Sequence, residues 1–232
     1  MRKLVFVGLL IGLLLSVSAG AFATPCGVAS LATYLTTVSC TIDDKTFSGF
    51  SYTPTGSAPT AANITVTPEQ IGNSEGFLFN GNLGLFPTVT NGFADLNIGF
   101  NVVVNSGAAT IEDASFATLS GVGITGDGAL SITEGVCSPG PSPTCTTFNK
   151  SFGASASTPG FFFLNQELLF TPTGSVSATK DILSVTGPAG GTVQITGIED
   201  LISQVPEPAS MLLMGAGLLG LGGLLRRRRR SV

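Results

Sequence analysis

Histidine and tryptophan are absent from this 232-residue chain, and tyrosine occurs only twice. Without histidine there is no Ser–His or Cys–His nucleophile and no imidazole metal ligand, which excludes the commonest hydrolase and zinc chemistries. Charge is scarce too, at 10% of residues against about 25% in ordinary soluble domains. Of the ten basic residues, Arg2 and Lys3 open the chain and Arg226 to Arg230 lie near its end, leaving Lys45, Lys150 and Lys180 between them. Thirteen of the fourteen acids lie from Asp43 to Asp200, so this body sets three lysines against thirteen carboxylates, a net charge of −10. Such a surface offers phosphates no basic groove, and nucleic acid is excluded as a partner.

What is abundant is apolar: 43% of residues, with 31 glycines and 16 phenylalanines. Two apolar runs stand at the ends. "MRKLVFVGLLIGLLLSVSAGAFATPC" has a positive start at Arg2 and Lys3, a short apolar stretch from Leu4 to Leu15, and the small-x-small pair Ala21 and Ala23. This is the layout of a secretory signal peptide over residues 1–23, cleaved after Ala23 with Ala21 as the nearest competitor. The partners it implies are the Sec machinery and signal peptidase.

The tail reads "VPEPASMLLMGAGLLGLGGLLRRRRR", Val205 to Arg230. Residues 209–225 carry no charge and reach the lower limit for a membrane-spanning helix. The cluster Arg226, Arg227, Arg228, Arg229 and Arg230 should stay cytoplasmic, which would leave the body outside. Proline lacks the N–H a helix needs and restricts the residue before it, so Val205-Pro206-Glu207-Pro208 should be extended at the outer membrane face. A VPEP box, an apolar helix and an arginine cluster in this order resemble the PEP-CTERM sorting signal. The resemblance implies an exosortase-type transpeptidase as partner, cleavage near the motif, and a Gram-negative-type host that makes exopolysaccharide. Thr24 to Tyr52 is more loosely similar to the opening of a group of PEP-CTERM exported proteins from soil bacteria, a similarity that brings no activity with it.

Residues 24–204 form the expected exported domain, and alternation with period two recurs through them. In "DLNIGFNVVV", Leu96, Ile98, Phe100, Val102 and Val104 share one face. Ile64 and Val66, Leu130 and Ile132, and Val193 and Ile195 repeat the pattern, while "FSGFSYT" is less regular, with Phe50 and Tyr52 on one side. "GFFFLNQELLF" reads as a strand apolar enough to be buried on both faces. Turn chemistry in "TPTGSAPT", "FNGNLG", "TGDG" and "TGPAGG" separates the runs. Only "SLATYLTT" suggests a helix, capped by Ser30 with Leu31, Tyr34 and Leu35 on one face. The fold class is therefore all-β: a single antiparallel β-sandwich or jelly-roll-like domain between a signal peptide and a C-terminal sorting helix (205–232).

Four cysteines in an exported chain imply two disulfides. Three pairings exist in principle, and proximity favours Cys26–Cys40 and Cys137–Cys145. Metal binding fits poorly, since no C-x-x-C pair exists.

Other motifs carry little. "GVGITG" (Gly121 to Gly126) matches G-x-G-x-x-G, but a strand-like, glycine-broken segment follows it instead of a helix. "SATK" (Ser177 to Lys180) matches S-x-x-K without a helical run to bring the pair together. The adjacent acids Asp43-Asp44, Glu112-Asp113 and Glu199-Asp200 read as solvated turn residues, since neighbours on a strand face opposite ways. With Asp127 they offer oxygen ligands for calcium, but no D-x-D-x-D-G loop organises them. No cofactor, metal or catalytic residue is expected.

The sequence thus describes an exported, non-enzymatic protein of the cell envelope, surface or extracellular matrix, held by its tail helix until processing, with a structural or adhesive role beside exopolysaccharide. The alternatives are a lectin-like carbohydrate-binding module and a carboxylate-dependent glycan-active enzyme using an acid such as Glu112 or Glu134.

Overall fold

In extended backbone, successive side chains alternate between opposite faces, so the alternating runs become strands with one buried face. The computed structural model describes residues 24–105, 110–119, 121–138 and 150–205, with the backbone alone for 86–88 and 205. One short helix, α1 (Leu31–Tyr34), and a 3-10 turn (Ala61–Asn63) accompany fourteen strands. The strands are β1 (Ala29–Ser30), β2 (Ser39–Ile42), β3 (Lys45–Gly56), β4 (Thr65–Ile71), β5 (Ser74–Asn80), β6 (Leu85–Val89) and β7 (Phe93–Val104), followed by β8 (Thr110–Thr118), β9 (Val122–Cys137), β10 (Lys150–Ala156), β11 (Gly160–Phe162), β12 (Asn165–Thr173), β13 (Ser175–Ile195) and β14 (Gly197–Val205).

They form two antiparallel sheets. The smaller has the order β1-β4-β5-β14-β8-β12, and the larger β10-β9-β13-β7-β3-β2, with β11 beside β9 and β6 beside β13. Their inner faces meet in one core. Leu96, Ile98, Phe100 and Val102 of β7 are at most 2% exposed, as are Ile64, Val66, Leu130, Ile132, Val193 and Ile195. Val104 is half-buried at the strand end. Phe47 and Phe77 from opposite sheets meet edge to face with centroids 4.8 Å apart, and Phe50, Phe100 and Tyr34 complete the cluster. The result is an antiparallel β-sandwich.

The irregularity of "FSGFSYT" has a local cause. A register shift between Ser48 and Ser51 inserts a bulge, which lets Phe47, Phe50 and Tyr52 all face the core side. Gly49 occupies the left-handed region there, φ +63°. Ser30 caps α1 by accepting from the Thr33 N–H, and Leu31 and Tyr34 are buried as expected. Leu35, expected beside them, lies past the helix and is 38% exposed.

Two expectations are corrected. "GFFFLNQELLF" is not a doubly buried strand. It divides into β11 and β12, both at sheet edges, where no further strand covers it; Phe161, Phe163 and Leu169 are 62%, 70% and 66% exposed. "TGPAGG" does not end a strand either. β13 runs through it, absorbing the extra residues as a register shift between Thr186 and Gly191.

Candidate functional site

The adjacent acids do not behave as solvated turn residues, apart from Asp43-Asp44 at the β2–β3 turn. On β14, Glu199 faces out and Asp200 faces in between Ile198 and Ile202, at 1% exposure. Asp200 meets Lys180 of β13, whose Nζ lies 3.3 Å from Asp200 Oδ2 and also donates to Glu134 Oε2 of β9. Lys180 and Glu134 are direct cross-strand partners, so this trio joins the centres of both sheets. The Phe116 ring lies under the ammonium, centroid 4.5 Å from Nζ, and stacks on Phe152. Glu134 Oε1 and Asp200 Oδ1 are buried without a hydrogen-bond partner.

One lysine cannot balance two ionised carboxylates in a dry core. Burial pushes the Glu134 carboxyl up to about 8, helped by repulsion from Asp200 and opposed by Lys180. Asp200 is also raised by burial, while on Lys180 the attraction of the two carboxylates outweighs burial and holds the proton on nitrogen. Burial thus favours a cluster in which Lys180 keeps its charge and the two carboxyls hold one proton between them, with no net charge.

A second buried pair, Lys45 of β3 and Glu75 of β5, also bridges the sheets, with Asp44 3.6 Å from Nζ. Asp43, Asp44 and Glu75 place carboxylate oxygens within 4.8 Å of one another, yet Lys45 already supplies the positive charge among them. Asp127 of β9 accepts from the Ala189 N–H of β13 at 3.0 Å.

The outer face of the smaller sheet carries a polar groove of about 380 Å³, lined by Ser115, Asn165, Gln166, Glu167 and Glu199 among others. Glu199 is pushed up to about 7, first by burial and then by its hydrogen bond and repulsion with Glu69. The outer face of the larger sheet holds a similar pair, in which burial and Asp95 push Asp181 up to about 6. Each pair can share a proton in mild acid and repel above it.

Cys26 and Cys40 form a disulfide that pins the N-terminal segment to β2. Cys137 is disulfide-bonded as well, while Cys145 lies outside the described residues. "GVGITG" enters β9 instead of opening a helix, and in "SATK" Ser177 and Lys180 sit on β13 facing opposite ways, so neither motif assembles a site. The sequence singles out Lys180 in "SATK", Asp200 beside Glu199 and Glu134 as a candidate acid, but does not bring the three together, although each interrupts an apolar period-two row: Val176, Ala178, Lys180, Ile182 is one such row.

Among the described residues no helix is long and apolar enough to cross a membrane. Ala21, Ala23, Pro206, Glu207, Pro208, the span 209–225 and Arg226 to Arg230 lie outside those residues. Val205 is the last residue of β14, paired with Thr110, so the chain enters its tail directly from a strand inside the smaller sheet. The family described as a PEP-CTERM protein-sorting motif matches residues 204–230. The tail is a PEP-CTERM sorting signal. It marks the protein for export and membrane-associated sorting, with exosortase processing.

No curated protein matches the chain. Among solved structures, it is similar to the carbohydrate-binding module TmCBM61, seen with β-1,4-galactotriose, at 14% identity and TM-score 0.31, covering 64% of this chain and 86% of that one. The enzymatically active domain of tailspike protein 4 from bacteriophage CBA120 is similar at 13% identity and TM-score 0.28, over 67% of this chain and 19% of that one. The module CBM29_1 from Piromyces equi gives 11% identity and TM-score 0.20, over 66% and 91%. Similarities this distant decide neither ligand nor reaction.

Proposed function

We propose that this is a non-enzymatic surface or matrix protein, delivered by its PEP-CTERM tail and serving a structural or adhesive role beside exopolysaccharide. The observation that carries the reading is the direct run of β14 into the sorting motif. The tail helix holds the body outside the membrane until an exosortase-type enzyme cuts near Pro206-Glu207-Pro208. Support comes from the disulfide, suited to an oxidising compartment, and from outer sheet faces rich in Ser, Thr, Asn and Gly. The test is fractionation of the native protein with binding of the released body to whole cells and their polysaccharide. The reading predicts retention with envelope or matrix and saturable binding. A body found free in the medium that binds neither cells nor polysaccharide would overturn it.

The groove beside Glu199 favours a second reading, a carbohydrate-binding module. Its amide, hydroxyl and carboxylate groups are suited to sugar hydroxyls, though the aromatic residue in its lining, Phe116, is buried with its ring against Lys180. A glycan array tests this: it predicts binding to a defined glycan, weakened about tenfold by N165A/E167A, a loss of about one to two hydrogen bonds to charged or polar partners. A flat array removes it.

A further inference from the structure

Two chemically opposite groups face each other where water does not reach. Lys180 is 1% exposed, Asp200 1% and Glu134 0%. Lys180 Nζ is 3.3 Å from Asp200 Oδ2, which sets the amine beside the carboxyl group whose carbon, one bond from that oxygen, it would attack. Glu134 contacts the same nitrogen, and its other oxygen, like the other oxygen of Asp200, has no protein partner. Phe116 and Phe152 close the surroundings with apolar rings.

We propose that Lys180 and Asp200 condense into an intramolecular amide, a covalent tie between the two sheets, with Glu134 carrying the protons. The starting state is an ammonium, a carboxylate and a protonated Glu134. Glu134 gives its proton to Asp200 and takes one from Nζ, leaving a neutral amine, a neutral acid and Glu134 protonated as before. The amine lone pair attacks Asp200 Cγ, forming the C–N bond. Glu134 then relays a second proton from nitrogen to the departing hydroxyl, and the C–O bond breaks. The products are the amide, one water and unchanged Glu134; no oxidant or co-reactant is needed.

The environment favours this outcome. An ion pair in a core keeps its desolvation cost, whereas an amide removes both charges. The raised carboxyl of Glu134 supports its part, since a group that keeps its proton near neutrality can both give and receive one. Lys45 and Glu75 lack such a fully buried third group, because the Asp44 side chain is 24% exposed. The consequence for the fold follows from position. Asp200 lies five residues before the end of β14, and Lys180 lies near the start of β13, where β9 and β7 flank it on both sides. A tie there would stop force applied through the tail from peeling β14 out of its sheet. That use rests on the surface reading above; the chemistry does not.

The experiment is mass spectrometry of the full chain, folded, then denatured, reduced and digested with trypsin. An amide-linked Lys180 resists trypsin, so the expected product begins at Ser151, runs uncut through Lys180 and weighs one water less than its sequence. Fragmentation should place the link between Lys180 and Asp200. E134Q should lower the linked fraction at least tenfold while keeping a wild-type circular dichroism spectrum. Cleavage after Lys180 with full sequence mass in the wild-type chain overturns the proposal, whatever the variants do. So does a link from Lys180 to Glu134, or full linkage in E134Q. None of these results depends on where the protein is sorted.

Discussion

At the scale of single residues, the informative side chains are charged groups standing in apolar rows. Lys45 precedes Phe47, Glu75 precedes Phe77 and Phe79, and Asp200 lies between Ile198 and Ile202, all facing the core. Period two puts each in the same row as core residues, although Asp200 reads from the sequence as a solvated turn residue. What it left open was the pairing, because Lys45–Glu75 and Lys180–Asp200 connect strands that meet only when the sheets stack. Removing one member of a buried pair leaves an uncompensated charge, at a cost of about 3–5 kcal/mol. K45M should therefore lose about that much in urea unfolding, and K45M/E75L should recover most of it. A K45M protein as stable as wild type would show that Glu75 finds another partner. Outer-face pairs should respond in the opposite sense. Because burial and then Glu69 raise Glu199, E199Q removes a repulsion and should raise Tm at pH 8 by up to about 4 °C, consistent with about 1 kcal/mol for a pair still partly screened by solvent, while changing little at pH 5.

At the scale of elements, the alternation of β7, of Leu130 and Ile132 in β9 and of the end of β13 was legible, as was the Ser30 cap of α1, whereas "TGDG", expected as a turn, lies within β9. The misread elements share one cause: hydrophobicity says nothing about whether a neighbouring strand exists. "GFFFLNQELLF" has the composition of a central strand and became two edge strands, and the exposed Phe161 and Phe163 meet edge to face instead of entering the core. The N-terminal element is held by chemistry as well as pairing. Cys26–Cys40 closes a short loop around α1 and β1, and Tyr34 Oη donates to the Gly27 carbonyl at 2.7 Å. A loop of this length contributes about 3 kcal/mol in the chain-entropy account. C26S/C40S should lose up to that amount and show fast amide hydrogen exchange in α1 and β2 before the rest of the sandwich. Uniform exchange across the molecule would contradict a local role. β14 is the other exacting element. A Cβ on Gly76 of β5 would lie 1.9 Å from the Asp200 carbonyl oxygen, so G76A should push β14 away and destabilise the protein by about 1–3 kcal/mol, the usual cost of overpacking.

At the scale of the whole molecule, the carboxyls with raised values set the pH response. Glu134 stands at about 8, Glu199 at about 7 and Asp181 at about 6. Each binds its proton more tightly folded than unfolded, so its stabilisation is complete below the ordinary carboxylate range and fades as pH rises to its folded value. Tm should fall from about pH 5 to about pH 8, with no acid optimum near neutrality. A Tm that rises over that interval would mean that the buried cluster is ionised as a whole. The sandwich, the Cys26–Cys40 disulfide and the sorting signal were legible because alternation, cysteines and tail motif are local signals. The buried trio and the polar groove were not, because they join residues far apart in sequence. The account as a whole depends on the tail. The most direct test is mass spectrometry of the native protein's C-terminus in envelope and extracellular fractions. The account predicts an end near Pro206-Glu207-Pro208, with Arg226 to Arg230 removed from the exported form. An exported protein that keeps its arginine cluster in every fraction would contradict it.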